Sequence, residues 1–363
     1  MRKNRCKIEK KFKLLRRGLL LGAGFLLFGY SAQAQVAGMS TLGVLDMPST
    51  ARTAGLGFDY LSLWDDDFGV GLDNPSMLGE RYHNMLSFNY VGLKPGTNFG
   101  SVNYGFHKNR VGTFVFGMNF FSYGRFDGYD ENEVYTGKFS AADYMLKVGW
   151  GMQITDNFSV GVNFKPILSQ YEHYTALALA VDVAGSYINN PKTFAVTLMA
   201  RNIGAQLMTF EGTREKLPFE LSAALSYKLP KAPFRFYFAI TDLQRWNLRY
   251  KDPLNPTESE DPFTGEIVGQ SKFGGVVDNL FRHTQFGLEL NIGKVFYARI
   301  GYSHRQTKEM QTEALTALNM SGISFGFGLR VKGFEIAYSR NNYHLGQAPN
   351  FITITTDLKR FIK

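Results

Sequence analysis

The chain lacks the residues that most enzymatic and metal sites require. Its only cysteine, Cys6, lies near the N-terminus, so disulfides and cysteine ligands or nucleophiles are excluded from the remainder. The six histidines show no metal-ligand spacing, and no P-loop, nucleophile elbow or dinucleotide fingerprint occurs. The acidic run 65–67 lacks the Gly and Glu of a calcium loop and is interpreted as a solvated turn. We therefore expect a protein that is not an enzyme and that needs no metal or other cofactor.

Long apolar runs are also missing. After residue 34 no stretch reaches about 18 apolar residues, which excludes membrane-spanning helices. Residues 1–17 carry nine Lys or Arg against one Glu, residues 18–29 are uncharged and mostly apolar, and Ala32-Gln33-Ala34 follows. This order predicts a Sec signal peptide over residues 1–34, with Arg16-Arg17 leaving the twin-arginine route as an alternative.

Most of the formal charge of +9 belongs to this predicted signal peptide. The remainder of the chain is nearly neutral once the nine basic residues and one acidic residue are set aside. A basic surface for polyanions is therefore not expected, and nucleic acid is excluded as a predicted partner.

The chain is rich in residues that alternate between apolar and polar. In the run 144–153, Leu146 and Val148 share one face, whereas Lys147 and Gly149 share the other. Strands that are apolar outside and polar inside are typical of a transmembrane antiparallel β-barrel, and the 15% aromatic content suits its interface girdles. The fold class is thus predicted to be all-β. A secreted β-sandwich is the alternative, although its strands would be shorter and its aromatics hidden.

The alternation predicts about fourteen strands. They lie near residues 84–93, 97–107, 110–123, 140–153, 157–168, 175–188, 193–203, 218–229, 233–242, 283–292, 296–305, 321–331, 334–342 and 350–359. Short turns alternate with longer connections, which are predicted near 124–139, 204–217, 243–282 and 306–320. Short turns face the periplasm in outer-membrane barrels, so an even strand count returns both ends there. The barrel is assigned to residues 83–363.

Two predicted hairpins test which residues pair between neighbouring strands and which face carries the charges. A two-residue turn at 332–333 pairs Arg330 with Glu335, and a three-residue turn at 293–295 pairs Glu289 with Arg299. Both opposite-charge pairs fall on the polar face, which we assign to the lumen because a charge facing lipid at the midplane costs about 2–4 kcal/mol.

Residues 35–82 do not follow the strand pattern. Their apolar content favours packing over disorder, so we predict a plug, or hatch, that fills the lumen; a periplasmic tail is the alternative. Asp73, Asn74 and Pro75 are the hatch candidates, because a proline about ten residues before the first strand ends local pairing and turns the chain.

The connection 243–282 is the candidate surface for binding a partner. It contains Trp246, Tyr250 and Phe263 together with three prolines. Aromatic side chains on a stiff loop lose little entropy on docking, which favours partner binding over a loop that merely covers the barrel mouth.

Several segments resemble a known family. Residues 45–57 read LDMPSTARTAGLG and residues 73–78 read DNPSML, as at the start of the PorV/PorQ proteins. The segments LPFE (217–220), APFR (232–235) and DLQRW (242–246) are most similar to the PorQ members. The resemblance covers nearly the whole chain after residue 34, and the Asn-Pro element is shared with the wider FadL-like barrels.

The resemblance implies a function that the spacing of residues does not. PorV/PorQ proteins are outer-membrane components of the type IX secretion system of Bacteroidetes, and FadL-like barrels have fourteen strands and an N-terminal hatch. The implied role is in a cell-surface attachment complex for exported proteins with C-terminal sorting domains. The implied partners are a PorV-like barrel, a sortase-like peptidase, a PorZ-type surface protein and outer-membrane lipid. A FadL-like transporter of hydrophobic small molecules is the alternative, and a general porin is disfavoured by the predicted plug.

Overall fold

The computed structural model describes residues 42–57, 60–210, 212, 214–249, 258–260, 267–269, 272–293, 295–309, 321–341 and 348–361. The predicted signal peptide therefore lies outside the described residues, as do the first residues of the predicted plug.

Within the described part of the chain, fourteen antiparallel strands close a barrel, as predicted. The barrel strands are β1 (Met85–Lys94), β2 (Thr97–Lys108), β3 (Gly112–Tyr129), β4 (Tyr135–Gln153), β5 (Phe158–Tyr171), β6 (Tyr174–Ile188), β7 (Phe194–Met208), β8 (Glu220–Lys228), β9 (Phe234–Ile240), β12 (Thr284–Ile292), β13 (Phe296–Ser303), β14 (Ile323–Val331), β15 (Phe334–Asn341) and β16 (Asn350–Asp357). Sequential strands pair, and β16 pairs with β1. A small separate hairpin, β10 (Glu258–Glu260) and β11 (Ile267–Gly269), lies between β9 and β12 in the sequence.

The two faces of the barrel wall differ as the alternation predicted. On β4, Leu146 is 54% exposed on the outside, whereas the neighbouring Lys147 is only 5% exposed on the inside. The two predicted turn registers are confirmed, since Arg330 pairs with Glu335 and Glu289 with Arg299. An outward surface of exposed apolar side chains is the surface that lipid requires, so the barrel spans a membrane through its strands.

The wall is uneven in height. We call β3–β7 the tall wall, because its strands have 14–19 residues, and β8, β9 and β12–β16 the short wall, because its strands have seven to nine. The prediction of a long loop over 124–139 was wrong, since β3 continues to Tyr129 and β4 begins at Tyr135. Cross-strand aromatic contacts explain the extension, with ring centroids 5.4 Å apart for Phe126 and Phe139.

The described part of residues 35–82 occupies the lumen, as the plug prediction requires. It contains helices α1 (Ala51–Leu56) and α2 (Phe68–Asp73) and three 3₁₀ turns at Gly43–Leu45, Pro75–Met77 and Glu80–Tyr82. The Thr50 hydroxyl accepts from the Thr53 N–H at the start of α1, and Gly57 ends it with φ 71°.

Small residues of the wall allow the plug backbone to approach it closely. A methyl group at Gly301 of the short wall would overlap the Leu56 carbonyl, and one at Gly161 of the tall wall would overlap the Pro75 backbone. The plug thus contacts opposite sides of the lumen, which is the reason that these strands carry glycine on their inner face.

Two helices in the long outer connections were not predicted. They are α3 (Lys272–Arg282), before β12, and α4 (His304–Glu309), after β13. Among the described residues, no helix combines the length and apolar character needed to cross a membrane.

Candidate functional site: the plug and the barrel wall

Arg52 of α1 is the centre of the contact between the plug and the short wall. Its Nε and Nη2 donate to the two carboxylate oxygens of Glu289 on β12, at 3.0 and 2.8 Å. Its Nη1 lies 2.8 Å from carboxylate oxygens of both Asp65 and Asp67, which belong to the plug itself. The guanidinium is nearly fully buried, so these partners replace the water that it loses.

Two further arginines of the wall complete this group. Arg299 Nε donates to Glu289 at 2.8 Å, and Arg235 Nη1 lies 3.0 Å from Asp65. We call the six side chains the Arg52 cluster. Its members are Arg52, Asp65, Asp67, Arg235, Glu289 and Arg299. Three cations thus balance three carboxylates, which allows five of the six to be buried and Asp65 to be largely enclosed.

The Arg52 cluster corrects one interpretation of the sequence. The run 65–67 is not wholly solvated, because only Asp66 is exposed, whereas Asp67 is buried and Asp65 is largely enclosed by two arginines. Burial alone raises the pKa of Asp65, but Arg52 and Arg235 outweigh it and hold that pKa well below its usual range. The sequence analysis did not identify Arg52 as a site residue. The feature that could have indicated it is that Arg52 is the single charged residue of α1, whose other residues are small or apolar.

The structure brings together both predicted lumen pairs. Glu289 and Arg299 meet inside the Arg52 cluster, whereas Arg330 Nη2 lies 2.6 Å from Glu335 in a separate contact. The Tyr297 ring lies between the two pairs, with its centroid 5.4 Å from the Arg299 guanidinium and 5.3 Å from that of Arg330.

The hatch candidate Asp73 contacts the tall wall. Lys147 Nζ of β4 lies 3.8 Å from its carboxylate and donates to the Ser49 hydroxyl at 3.0 Å and to the Leu72 carbonyl at 3.2 Å. The Thr53 hydroxyl donates to Asp73 at 3.1 Å, which joins α1 to the end of α2. Burial raises the pKa of Asp73, although the Lys147 charge opposes the increase.

The other hatch candidates, Asn74 and Pro75, follow directly. The Asn74 side chain is fully buried and donates to the Leu61 carbonyl at 3.0 Å and to the Thr197 hydroxyl of β7 at 3.1 Å. Pro75 begins a 3₁₀ turn, where its missing N–H costs no hydrogen bond. The Ser76 hydroxyl lies 2.5 Å from that of Ser186 on β6, so the turn is held to two strands.

Apolar side chains fill the lumen beside the tall wall. The first described residues of the plug, Leu42, Val44 and Leu45, belong to one buried cluster with residues from several strands. The barrel residues of that cluster are Leu217, in the connection before β8, and the strand residues Val91, Phe99, Phe121, Met145, Ile167, Ala178, Ala180, Ala337 and Phe351. A polar clamp adjoins it, because the Gly43 N–H donates to the Tyr123 hydroxyl at 3.1 Å and that hydroxyl donates to Asp143 at 2.7 Å.

The predicted outer-loop residues are only partly observed. Trp246 is 65% exposed, and its backbone carbonyl accepts from the side chains of Asn279 and His283. Its ring stacks on that of His283 at 5.9 Å. Tyr250 and Phe263 lie outside the described residues.

The contacts between the plug and the wall hold the plug segment in place. Within the residues that the structure describes, no group of three His, Cys, Asp or Glu side chains could hold a metal ion. Two ion pairs of the lumen join the plug to the wall, Arg52 with Glu289 and Asp73 with Lys147, so these charges serve recognition between the plug and the wall.

The fold was compared with solved protein structures. The structure is similar to the TodX monoaromatic hydrocarbon channel deltaS2 mutant, with a TM-score of 0.50 and 10% identity over 86% of this chain and 97% of that chain. It also aligns with the Pseudomonas putida toluene transporter TodX (TM-score 0.46, 9% identity, 85% and 96%). A third alignment is to a Pseudomonas aeruginosa FadL homologue (TM-score 0.43, 10% identity, 85% and 98%).

Neither a protein-family model nor a curated protein sequence matches the chain. At 10% identity, the likeness to the TodX mutant shows the fold alone, a closed barrel of this size.

Proposed function

We propose that the protein is a plugged outer-membrane barrel that acts as a non-enzymatic component of the type IX secretion system. In this role it contributes to a cell-surface attachment complex for exported proteins with C-terminal sorting domains. Its partners are a PorV-like barrel, a sortase-like peptidase and a PorZ-type surface protein. The PorV/PorQ motifs support the assignment, and the observation that carries it is the way in which the plug is held in the lumen.

A transporter needs a lumen that opens, and this plug resists removal. Its withdrawal would separate Arg52 from Glu289, Asp65 from Arg235 and Asp73 from Lys147. Breaking one buried ion pair and leaving a charge uncompensated costs about 3–5 kcal/mol. Three such pairs on opposite sides of the lumen favour a barrel that stays closed and presents its outer surface to partners.

The tall wall offers such a surface. We call residues 124–140 the outer ribbon. Among the described residues, 125–129 pair only with β4, and 135–139 pair only with β3, so both edges of the ribbon are open. Open edges can accept a further strand from a partner. Tyr129 and Tyr135 add exposed aromatic area at the tip.

Co-purification from the native outer membrane tests the proposal. We expect the tagged protein to retain the barrel, peptidase and surface partners. Replacing residues 126–138 by a two-residue turn, or shortening 247–275, should leave a folded, heat-modifiable barrel that loses the surface partner and retains less secreted cargo. An insertion of two glycines in the turn 190–191, on the opposite side of the membrane, is the matched control. Retention of all partners by both shortened variants would refute the proposal.

A FadL-like transporter of hydrophobic small molecules is the second candidate. The apolar cluster around Leu42 and Leu45 favours it, because hydrophobic cargo could occupy that space if this part of the plug moved. Planar-bilayer conductance and uptake of a hydrophobic compound separate the two functions. A scaffold shows neither until residues 35–82 are deleted, whereas a transporter takes up the compound with its plug intact.

A further inference from the structure

Helix α3 exposes apolar side chains and buries polar ones, which is the reverse of a helix on a water-exposed surface. Val276 is 54% exposed, Leu280 47% and Phe281 45%, whereas Asn279 is only 4% exposed. Spacings of four and five residues place the three apolar side chains on one outward stripe. A helix that buries its amide and displays its aliphatic side chains is stable only if an apolar medium covers the displayed face.

Polar contacts fix this orientation. Asn279 accepts from the Leu248 N–H at 2.9 Å and donates to the Trp246 carbonyl. Asp278 lies 2.8 Å from Arg282 Nε and 3.0 Å from His304 Nε2. These bonds hold the inner face of α3 to the loop after β9 and to α4, so the helix cannot turn its apolar stripe inward without losing them.

The apolar stripe is continuous with the lipid-facing wall. The Phe281 ring lies 5.8 Å from that of His304, and the His304 ring lies 6.4 Å from that of Tyr302. Tyr302 is an outward-facing residue of β13, two positions from Ile300, which is also exposed to the outside. The outward surface of the short wall therefore runs upward into α3.

The strands of the short wall are too short to cover the full height of the apolar band. Eight residues, the length of β13, rise about 20 Å at ~3.3 Å per residue and a tilt of ~40°, whereas the apolar band of such barrels is about 25 Å tall. The strands of the tall wall exceed this height without help. The deficit of about 5 Å on the short wall is close to the depth to which an interfacial helix buries its apolar face.

We propose that α3 is embedded in the outer leaflet of the membrane and completes the lipid-facing band above the short wall. Val276, Leu280 and Phe281 contact acyl chains, and Asn279 and Asp278 hold the helix to the protein. The inference is independent of the secretion role, since it concerns how the barrel is seated in the bilayer.

Fluorescence quenching tests whether α3 is embedded in the membrane. In a Cys6→Ser background, single cysteines are placed by Val276→Cys and Leu280→Cys and labelled with an environment-sensitive dye. Ile336→Cys is the lipid-facing control, and Glu131→Cys, at the tip of the outer ribbon, is the water-facing control. In vesicles with brominated acyl chains, we expect both α3 positions to lose as large a fraction of their emission as Ile336→Cys.

Two results would overturn the inference. The first is quenching of the α3 positions by aqueous iodide as strong as at Glu131→Cys, with no effect of brominated lipid. The second is crosslinking of both positions to a protein in native membranes, because the apolar stripe would then be a protein docking surface. Heat-modifiability of each labelled variant establishes that the barrel has folded before quenching is compared.

Discussion

The tall and short walls span the membrane with different structural elements. The tall wall crosses the membrane with strands of 14–19 residues and continues as the outer ribbon. The short wall has strands of seven to nine residues and is followed by helices and long connections. Their inner faces differ as well, because the tall wall contributes five residues to the apolar cluster around Leu42 and the short wall two, whereas the short wall contributes three members of the Arg52 cluster.

This difference shows how the plug is positioned. Apolar contacts with the tall wall are tolerant of small shifts, since hydrophobic burial has no direction. The bidentate bond between Arg52 and Glu289 fixes both distance and orientation. Both walls therefore position the plug, the short wall through the bidentate Arg52–Glu289 bond and the tall wall through polar contacts of Asp73 and Asn74 in addition to apolar ones.

The largest effect is expected at the Arg52 cluster. Arg52→Met would leave Glu289, Asp65 and Asp67 with one cation fewer in a buried site, and we expect a loss of about 3–5 kcal/mol in unfolding free energy from lipid. Urea titration in bilayers measures it, and ion conductance should rise as the plug loosens.

The matched control for Arg52→Met lies on the tall wall. Lys138→Met removes the exposed pair with Asp127, whose nearest charged atoms are 3.8 Å apart, and should change stability by less than about 1 kcal/mol. Equal effects of the two substitutions would mean that the Arg52 cluster does not hold the plug.

The next effect compares the outward faces of the two walls. Ile300→Arg places a charge on the lipid-facing side of β13, near the middle of the short wall, and should cost about 2–4 kcal/mol in folding into lipid. Phe126→Arg, on the outer ribbon, should cost about 1 kcal/mol or less, the loss of its contact with Phe139, because water surrounds the ribbon. A similar cost at both positions would place the ribbon inside the membrane.

A smaller effect is expected where the plug backbone meets the tall wall. Gly161→Ala introduces a methyl group that overlaps the Pro75 backbone, and overpacking of this kind costs about 1–3 kcal/mol. Gly185→Ala is the control, since nothing lies within 4 Å of the added methyl group. Unfolding in urea compares the two variants, and an equal response would show that residue 161 has no close neighbour in the plug.

Much of this fold was predictable, because lipid and lumen impose a strict alternation on every strand. The registers at 332–333 and 293–295 followed from turn length and charge placement. The extension of β3 and β4 was missed because the ribbon is exposed to water on both faces, which removes the alternation that marks a strand. The role of Arg52 was missed because its partners Glu289 and Asp65 are distant in sequence and meet only through the closure of the barrel.

The smallest effect concerns α3 and depends on pH. Burial raises the pKa of Asp278, but hydrogen bonds from Arg282 and His304 outweigh it, so the folded-state pKa lies below that of the unfolded chain. The stabilisation is therefore complete above about pH 4 and is lost as pH falls through the folded value. We expect proteolysis of the loop around α3 to increase in acid, by an amount that corresponds to about 1 kcal/mol or less. Asp278→Asn should remove this pH dependence and leave the heat-modifiability of the barrel unchanged; an Asp278→Asn variant that keeps the acid response would show that another group holds α3.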